Sequence, residues 1–260
     1  MEFDFYSIDL EYVENLYHTD SEVYFDPSNP NYSDKPYIGI IISNDGYKYF
    51  IPLTSAKRKH LSYKNSGINY DLIYEYKIRS KIKSTDIHKL FKPDNDGNPE
   101  NDTVKKLLSL LDYRKSIPVC SGCYQRINIS EHSNRDLLAK EYAFLFPKRL
   151  KIKKKANSII NKQKKTGIIQ FAHCNFSLLE KICEQWAWNK LDIKAFNSEI
   201  HILENEHIDI NTLVKIKNGE LIPTVIKTDE LGEFTYTISA QNEFGKTKSI
   251  SLKIIVEKRK

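Results

Sequence analysis

Hydroxyls, cations and an imidazole crowd into one short stretch of this chain: Thr54 and Ser55, then Lys57, Arg58, Lys59 and His60. Such a set can hold and polarise a phosphodiester. Hydroxyls hydrogen-bond its non-bridging oxygens, ammonium groups offset the charge that grows on them, and an imidazole can move a proton. Immediately upstream, residues 37–42 and 47–53 are rich in β-branched and aromatic residues and flank Asn44-Asp45-Gly46. The Asp-Gly step supplies the positive φ angles of a tight turn, so the stretch reads as a β-hairpin. Its first strand is almost wholly apolar and is expected to be buried on both faces. A hairpin returns its beginning beside its end, which is expected to bring Lys35 to the same site as Lys57. A basic, exposed strand end with no chemistry is the competing reading.

The elements that must position this turn can be read in order. Residues 3–8 read as a strand, and Asp9 as the N-cap of a helical turn with Leu10, Val13, Leu16 and Tyr17 on one face and Tyr12 off it. Residues 18–34 are polar and punctuated by proline, hence a loop that delivers the chain to Lys35. Strand character returns at residues 68–78. Residues 92–103 form a polar loop; its Asp94 and Asp96 resemble a calcium loop, against which Pro99 and the missing closing glutamate argue. Residues 104–111 read as a short helix, 117–119 as a strand, and 134–146 as a helix with Leu137, Leu138, Tyr142 and Leu145 at helical spacing. Residues 148–165 hold nine lysines and arginines and no acid. Ile152, Ala156, Ile159 and Ile160 run a helical stripe through them to a stop at Gly167. A helix with one apolar face and a basic remainder can track a phosphate backbone, with Lys151, Lys153, Lys154 and Lys155 as RNA contacts alongside Arg58, Lys59 and His60. Solvated lysines with no specific partner are the alternative. Residues 171–188 read as a turn into a helix capped by Ser177, with Glu180 as its capping-box partner.

The character changes after about residue 197. Alternating strands are expected at 214–216, 224–226, 234–240 and 250–256, and the last two resemble the closing hairpin of a bacterial immunoglobulin-like repeat. The stretch is too short for a full sandwich, so a small all-β module that resembles a reduced immunoglobulin-like domain is expected at 197–260, with the main domain at 1–196.

Composition narrows the classes. The chain has 260 residues, a net charge of +6 and a pI near 8.9, with 16 tyrosines and 12 phenylalanines among its lysines. That mixture suits RNA, whose unpaired bases stack on aromatic rings. No basic start followed by an apolar run marks a signal peptide and no run approaches a membrane span, so a cytoplasmic setting with reduced thiols is expected. Cys120-x-x-Cys123 is a zinc half-site that His173, Cys174 and Cys183 could complete, but no second closely spaced pair exists. No Gly-x-Ser-x-Gly elbow, phosphate-binding glycine loop or paired carboxylates accompany the turn. What remains is RNA cleavage without metal or other cofactor, in which the substrate's own 2′-OH attacks the adjacent phosphate.

Several pieces, in order, carry a family resemblance: Phe5-Tyr6-Ser7-Ile8 with Tyr12, Lys35-Pro-Tyr-Ile-Gly39, Pro52-Leu-Thr-Ser-Ala-Lys57 with His60, Ile117-Pro-Val119, and Cys174-Asn-Phe-Ser-Leu-Leu-Glu180. Over residues 1–188 the chain resembles the ToxN/AbiQ endoribonuclease toxins of type III toxin–antitoxin systems. The resemblance implies an α+β fold around a strongly bent antiparallel sheet, like the barrel of the Kid and MazF toxins, surrounded by helices. It also implies metal-independent cleavage to a 2′,3′-cyclic phosphate and inhibition by a small repeat pseudoknot RNA that the toxin processes. Toxin and RNA would form a closed assembly acting in phage abortive infection or plasmid maintenance. Matched to the family's active-site positions, Thr54 and Ser55 would hold the scissile phosphate and the attacking hydroxyl. Lys57 would offset developing charge with Lys35 as a second cation, and Tyr12 would stack on a base or bind a phosphate. His60 is either a proton donor or structural. The longer span between His60 and Ile117 and the extra module depart from the family pattern. The rival reading is a non-catalytic RNA-binding protein that uses the basic helix 148–165; a zinc-dependent nuclease stands third.

Overall fold

The sheet that carries the basic turn grows from the expected hairpin. The computed structural model describes residues 3–26, 28, 35–42, 46–86, 89–93, 102–190, 193–197 and 199–259. In chain order, β1 (Phe5–Ile8), α1 (Leu10–Thr19), β2 (Tyr37–Ile42), β3 (Lys48–Ser55), β4 (Tyr70–Ile78), β5 (Phe91–Pro93), β6 (Thr103–Asp112), β7 (Ile117–Val119) and β8 (Tyr124–Arg126) lead to three long helices. These are α2 (Arg135–Leu145), α3 (Arg149–Thr166) and α4 (Phe176–Lys190). The strands form one eight-stranded antiparallel sheet of order β4-β6-β3-β2-β1-β8, with β5 paired to β6 and β7 to β3. Of the hairpin turn, Asn44 and Asp45 lie outside the described residues, and Gly46 has φ 82°.

Strand β3 works twice. Its first half, Lys48–Phe50, pairs with β7, and its second half, Leu53–Ser55, pairs with β6. A strand shared in this way curls the sheet into a half-barrel. Gly39, at a register shift in β2, is where Tyr6 and Phe50 close over the backbone, and any Cβ there would collide with both rings.

Residues 104–111, expected as a helix, are instead most of β6, which pairs with β4, β3 and β5. The register shifts so that Ile73 faces Ser109 while Tyr74 faces Leu107, which leaves Leu108 as an extra residue. Such a bulge turns the next side chains over. Leu107 and Leu110 therefore pack together against Leu72, and a three-residue spacing that mimics a helix sits in a strand.

The helices follow their stripes with local changes. Asp9 caps α1 by accepting from Tyr12 N at 3.2 Å. The buried face of α1 is Tyr12, Val13 and Leu16, and Leu10 is left exposed. Helix α2 buries Leu138, Glu141 and Leu145, with Leu137 on the outside. In α3 the stripe Ile152, Ala156, Ile159 and Ile160 is buried as expected, and Gly167 ends the helix at φ 67° with its N–H on Gln163 O. The cap of α4 is Asn175, whose side chain accepts from Leu178 N at 3.1 Å, not Ser177. Glu180 instead accepts from Lys164 Nζ at 2.8 Å and from the Tyr49 hydroxyl at 2.7 Å.

The chain divides into two units, Met1–Val119 with Cys123–Glu180, and Cys120–Gly122 with Lys181–Lys260. The second holds β9 (Ile193–Ala195), β10 (Glu199–Leu203), the single turn α5 (Ile210–Leu213), β11 (Val214–Ile216), β12 (Gly219–Leu221), β13 (Gly232–Asn242) and β14 (Thr247–Glu257). A sheet of order β10-β14-β13-β12 and the pair β11-β9 close over Ile238, Ala240, Leu252 and Ile254. Residues 224–226 form no strand. The Tyr236 hydroxyl serves both the N–H and the C=O of neighbouring Lys227, which gives that backbone partners outside any ladder. No helix among the described residues is long and apolar enough to cross a membrane.

Candidate functional site

The sheet delivers the basic turn as a fixed object. Leu53 N donates to Pro36 O at 3.1 Å and Tyr37 lies opposite Pro52, so the hairpin pairing runs on and sets Lys35 beside Thr54. Thr54 is partly buried, its hydroxyl donating to Leu110 O at 3.4 Å. Successive strand residues face opposite ways, so Thr54 shares a face with Lys35, while Ser55 lies on the other face, opposite Ser109. Ser55, Lys57, Arg58 and Lys59 are exposed.

Lys57 lies within electrostatic reach of Lys35. Burial, then the charge of Lys57, push the Lys35 amine down to about 6, against a smaller opposing pull from Asp26. Its Nζ sits 2.9 Å from the centre of the Tyr24 ring. Tyr24 went unmarked because it lies in the polar loop, where nothing in its spacing points back to Lys35.

His60 is turned inward. It is only 3% exposed, its Nδ1 accepts from Lys57 N at 3.0 Å, and its own N–H donates to Lys57 O at 2.8 Å. Burial and the nearby Lys59 and Lys57 lower its pKa. The imidazole thus fixes the backbone at Lys57 and offers no open face to an RNA. Tyr12 is 0% exposed and donates its hydroxyl to Pro118 O at 2.8 Å, a position that ties α1 to β7 and leaves no ring face for a base.

The lysines of α3 separate by environment. Lys151 and Lys154 are exposed and, with Lys64, line a groove of about 990 Å³ beside Tyr70 and the exposed Ile68. Lys153 is half-buried. Lys155 points inward, bonded to Asp71 at 2.7 Å, Ser66 Oγ at 2.6 Å and Gly67 O at 2.9 Å. Cys120, Cys123, Cys174 and Cys183 are buried and not in disulfides, and burial drives the Cys174 pKa upward. No group of three or more His, Cys, Asp or Glu among the described residues is arranged to hold a metal ion.

Comparison with solved structures defines the fold class. The chain is similar in fold to AbiQ, a lactococcal anti-phage endoribonuclease of a type III toxin–antitoxin system, at 19% identity and a TM-score of 0.53, over 72% of this chain and 99% of that one. It is also similar to a protein solved in a bacterial antiviral system regulated by a processed non-coding RNA, at 26% identity and a TM-score of 0.50, over 70% and 98% of the two chains. Residues 4–184 match the model of toxin ToxN of type III toxin–antitoxin systems, and the chain belongs to that family. Among its relatives are the endoribonuclease ToxN of Pectobacterium atrosepticum, 29% identical over 68% of this chain and 90% of that protein, and that of Bacillus thuringiensis subsp. kurstaki, 25% identical over 70% and 83%. The family match ends before β9, so the strands β9 to β14 lie outside it.

Proposed function

We propose that this chain is a metal-independent endoribonuclease toxin, and that a repeat pseudoknot antitoxin RNA, which it processes and then binds in a closed assembly, holds it inactive. Family membership and the endoribonuclease relatives support the activity. A similar protein solved in a bacterial antiviral system that a processed non-coding RNA regulates supports the partner, and the family's toxin–antitoxin character supports a role in abortive infection or plasmid maintenance. The observation that carries the chemistry is the placement of the buried Lys35 amine beside Thr54, within electrostatic reach of Lys57.

In this reading the Thr54 hydroxyl and the Lys57 cation hold the scissile phosphate. Lys35, largely a free amine at neutral pH because burial and Lys57 disfavour its charge, takes the proton of the 2′-OH. The 2′ oxygen bonds to phosphorus and the 5′ oxygen leaves with a proton supplied by Lys57. The products are a 2′,3′-cyclic phosphate and a 5′-hydroxyl. Tyr12 and His60 act by position, holding the ends of the elements that present these groups. Arg58, Lys59, Lys151, Lys153 and Lys154 hold the RNA backbone.

The test is cleavage of a mixed RNA in excess EDTA, with both product ends identified. Cyclic phosphate ends that disappear with Lys57→Ala are expected. Cleavage that returns only with added divalent metal overturns the mechanism, and binding without cleavage under any condition leaves an RNA-binding protein.

A further inference from the structure

Ile68 stands where an isoleucine gains nothing from the core: 82% of it is exposed, in the loop between the basic turn and β4. A lone exposed aliphatic residue is ordinary. What sets this one apart is how firmly its loop is held. Gly67 N donates to Tyr70 O, Leu72 N to Asn65 O and Tyr113 N to Asn69 O, each at 2.9 Å. From α3, Lys155 Nζ donates to Ser66 Oγ at 2.6 Å and to Gly67 O at 2.9 Å. At Gly67 the Tyr70 ring packs so closely that a Cβ would come within 2.9 Å of it. The loop is thus fixed around an apolar side chain that it holds out in water.

Two cavities adjoin it, of about 990 Å³ and about 380 Å³, and both are lined by Ile68, Asn69, Ser158 and Ile159. Ile68 is therefore the partition between them. Their floor is one face of α3. Lys151, Lys154, Ser158, Lys162 and Thr166 recur there every three or four residues and run about 22 Å along the helix. Lys151 and Lys154 line the cavity on one side of Ile68 and Lys162 the cavity on the other, all three exposed. No Asp or Glu among the described residues lines either cavity. A trough with cations along its length, an amide and a hydroxyl at its middle and an aliphatic ridge across it complements a polyanion whose bases are unpaired. Aromatic rings join it to the basic turn. The Tyr70 ring lies 4.9 Å from that of Tyr63, which lies 5.1 Å from the His60 ring that fixes the backbone at Lys57.

We propose that Ile68 is a wedge that parts two neighbouring bases of a single-stranded substrate RNA and lodges one in each cavity; this rests on the nuclease reading above. The phosphates follow the lysines of α3, while Ile68 replaces the neighbour that each base loses from the stack. Asn69 and Ser158 stand at the partition, where their polar atoms meet base edges. A duplex, with its bases stacked and paired, opens no gap for the ridge. The wedge therefore selects unpaired segments. It does so away from the scissile phosphate, through affinity and not through the bond-breaking step.

The experiment compares the full chain and its Ile68→Ser variant in binding two 2′-O-methyl oligonucleotides, which lack a free 2′-OH and cannot be cut. One is a single strand of mixed sequence and the other a fully paired hairpin. Ile68→Ser is expected to weaken binding of the single strand about tenfold, the low end of what one lost base stack costs. Affinity for the hairpin and Tm stay as in the wild type, and Ile68→Leu restores most of the lost affinity. Because no cation is removed, the salt slope of binding is unchanged, whereas Lys151→Ala lowers it. A 2-aminopurine in the single strand, which brightens when unstacked, brightens on the wild type and not on Ile68→Ser. In cleavage, the change appears in KM rather than in kcat. Equal losses for strand and hairpin, or wild-type affinity for the strand in Ile68→Ser, overturn the proposal while cleavage itself stands. No cleavage by the wild type overturns the nuclease reading, and the binding comparison still decides whether the wedge exists.

Discussion

Two regions of this molecule are rich in lysine, and they differ in what surrounds the charge. Along α3 some cations are in water, as Lys151 and Lys154 are, and others are bonded to an acid, as Lys155 and Lys164 are. At the end of β3, Lys35 is pressed out of water against the Tyr24 ring, within reach of the Lys57 charge, and its amine is held at about 6. Solvated lysines attract a polyanion at long range and are screened by salt. A desolvated lysine beside a second cation becomes a base. Burial rather than number separates a surface that gathers RNA from a centre that can act on it.

The sharpest way to break this contrast is at Lys35. Lys35→Arg keeps a cation but cannot serve as a base, and cleavage is expected to drop about a thousandfold; near-normal cleavage would return Lys35 to the role of second cation. With Lys35 as base, kcat/KM rises with pH through about 6. Its effect on stability follows from the same shift. The folded-state pKa lies below that of the unfolded chain, so the cost of burying the cation is complete below pH 6 and is relieved as pH climbs toward 10.5. Lys35→Met therefore raises Tm at pH 5 while abolishing cleavage. Lys57→Ala is expected to cost about a hundredfold in kcat, the scale of one electrostatic contact in a transition state.

Effects along α3 are smaller and of another kind. Lys155→Ala leaves Asp71 without its cation, held only by the Ser66 and Tyr113 hydroxyls, and is expected to lower stability by about 2 kcal/mol, read as a lower denaturation midpoint. Lys151→Ala or Lys154→Ala should each weaken RNA binding a few-fold and reduce the salt dependence of affinity by about one unit of slope per contact. If Lys155→Ala instead behaves like Lys151→Ala, the division between structural and RNA-facing lysines fails.

Much of this was legible from the chain, for identifiable reasons. The hairpin, the capped first helix and the basic stripe of α3 rest on local signals: a turn glycine, an Asp cap and a 3.6-residue period. Lys35 and Lys57 were paired by hairpin logic alone. The misread parts depend on distant partners. Leu107 and Leu110 keep helical spacing because a bulge against β4 turns one of them over, and no window confined to β6 contains β4. Tyr12 falls off the stripe of Leu10, Val13, Leu16 and Tyr17, yet it is buried, and Pro118, far along the chain, receives its hydroxyl. His60 reads as either a proton donor or a structural residue, and the bond its ring accepts from Lys57 N decides for the second.

The double pairing of β3 has a consequence for how such a chain is born. The strand's outer edges are supplied by Thr103–Asp112 and Ile117–Val119, roughly sixty residues further along than the basic turn itself. A ribosome makes the cations long before it makes the strands that curl the sheet around them. Until Val119 has emerged, β3 lacks the partner strands that give Lys35 and Lys57 their setting. In the proposed reading, the site is therefore completed by strands made after it, an order set by topology alone.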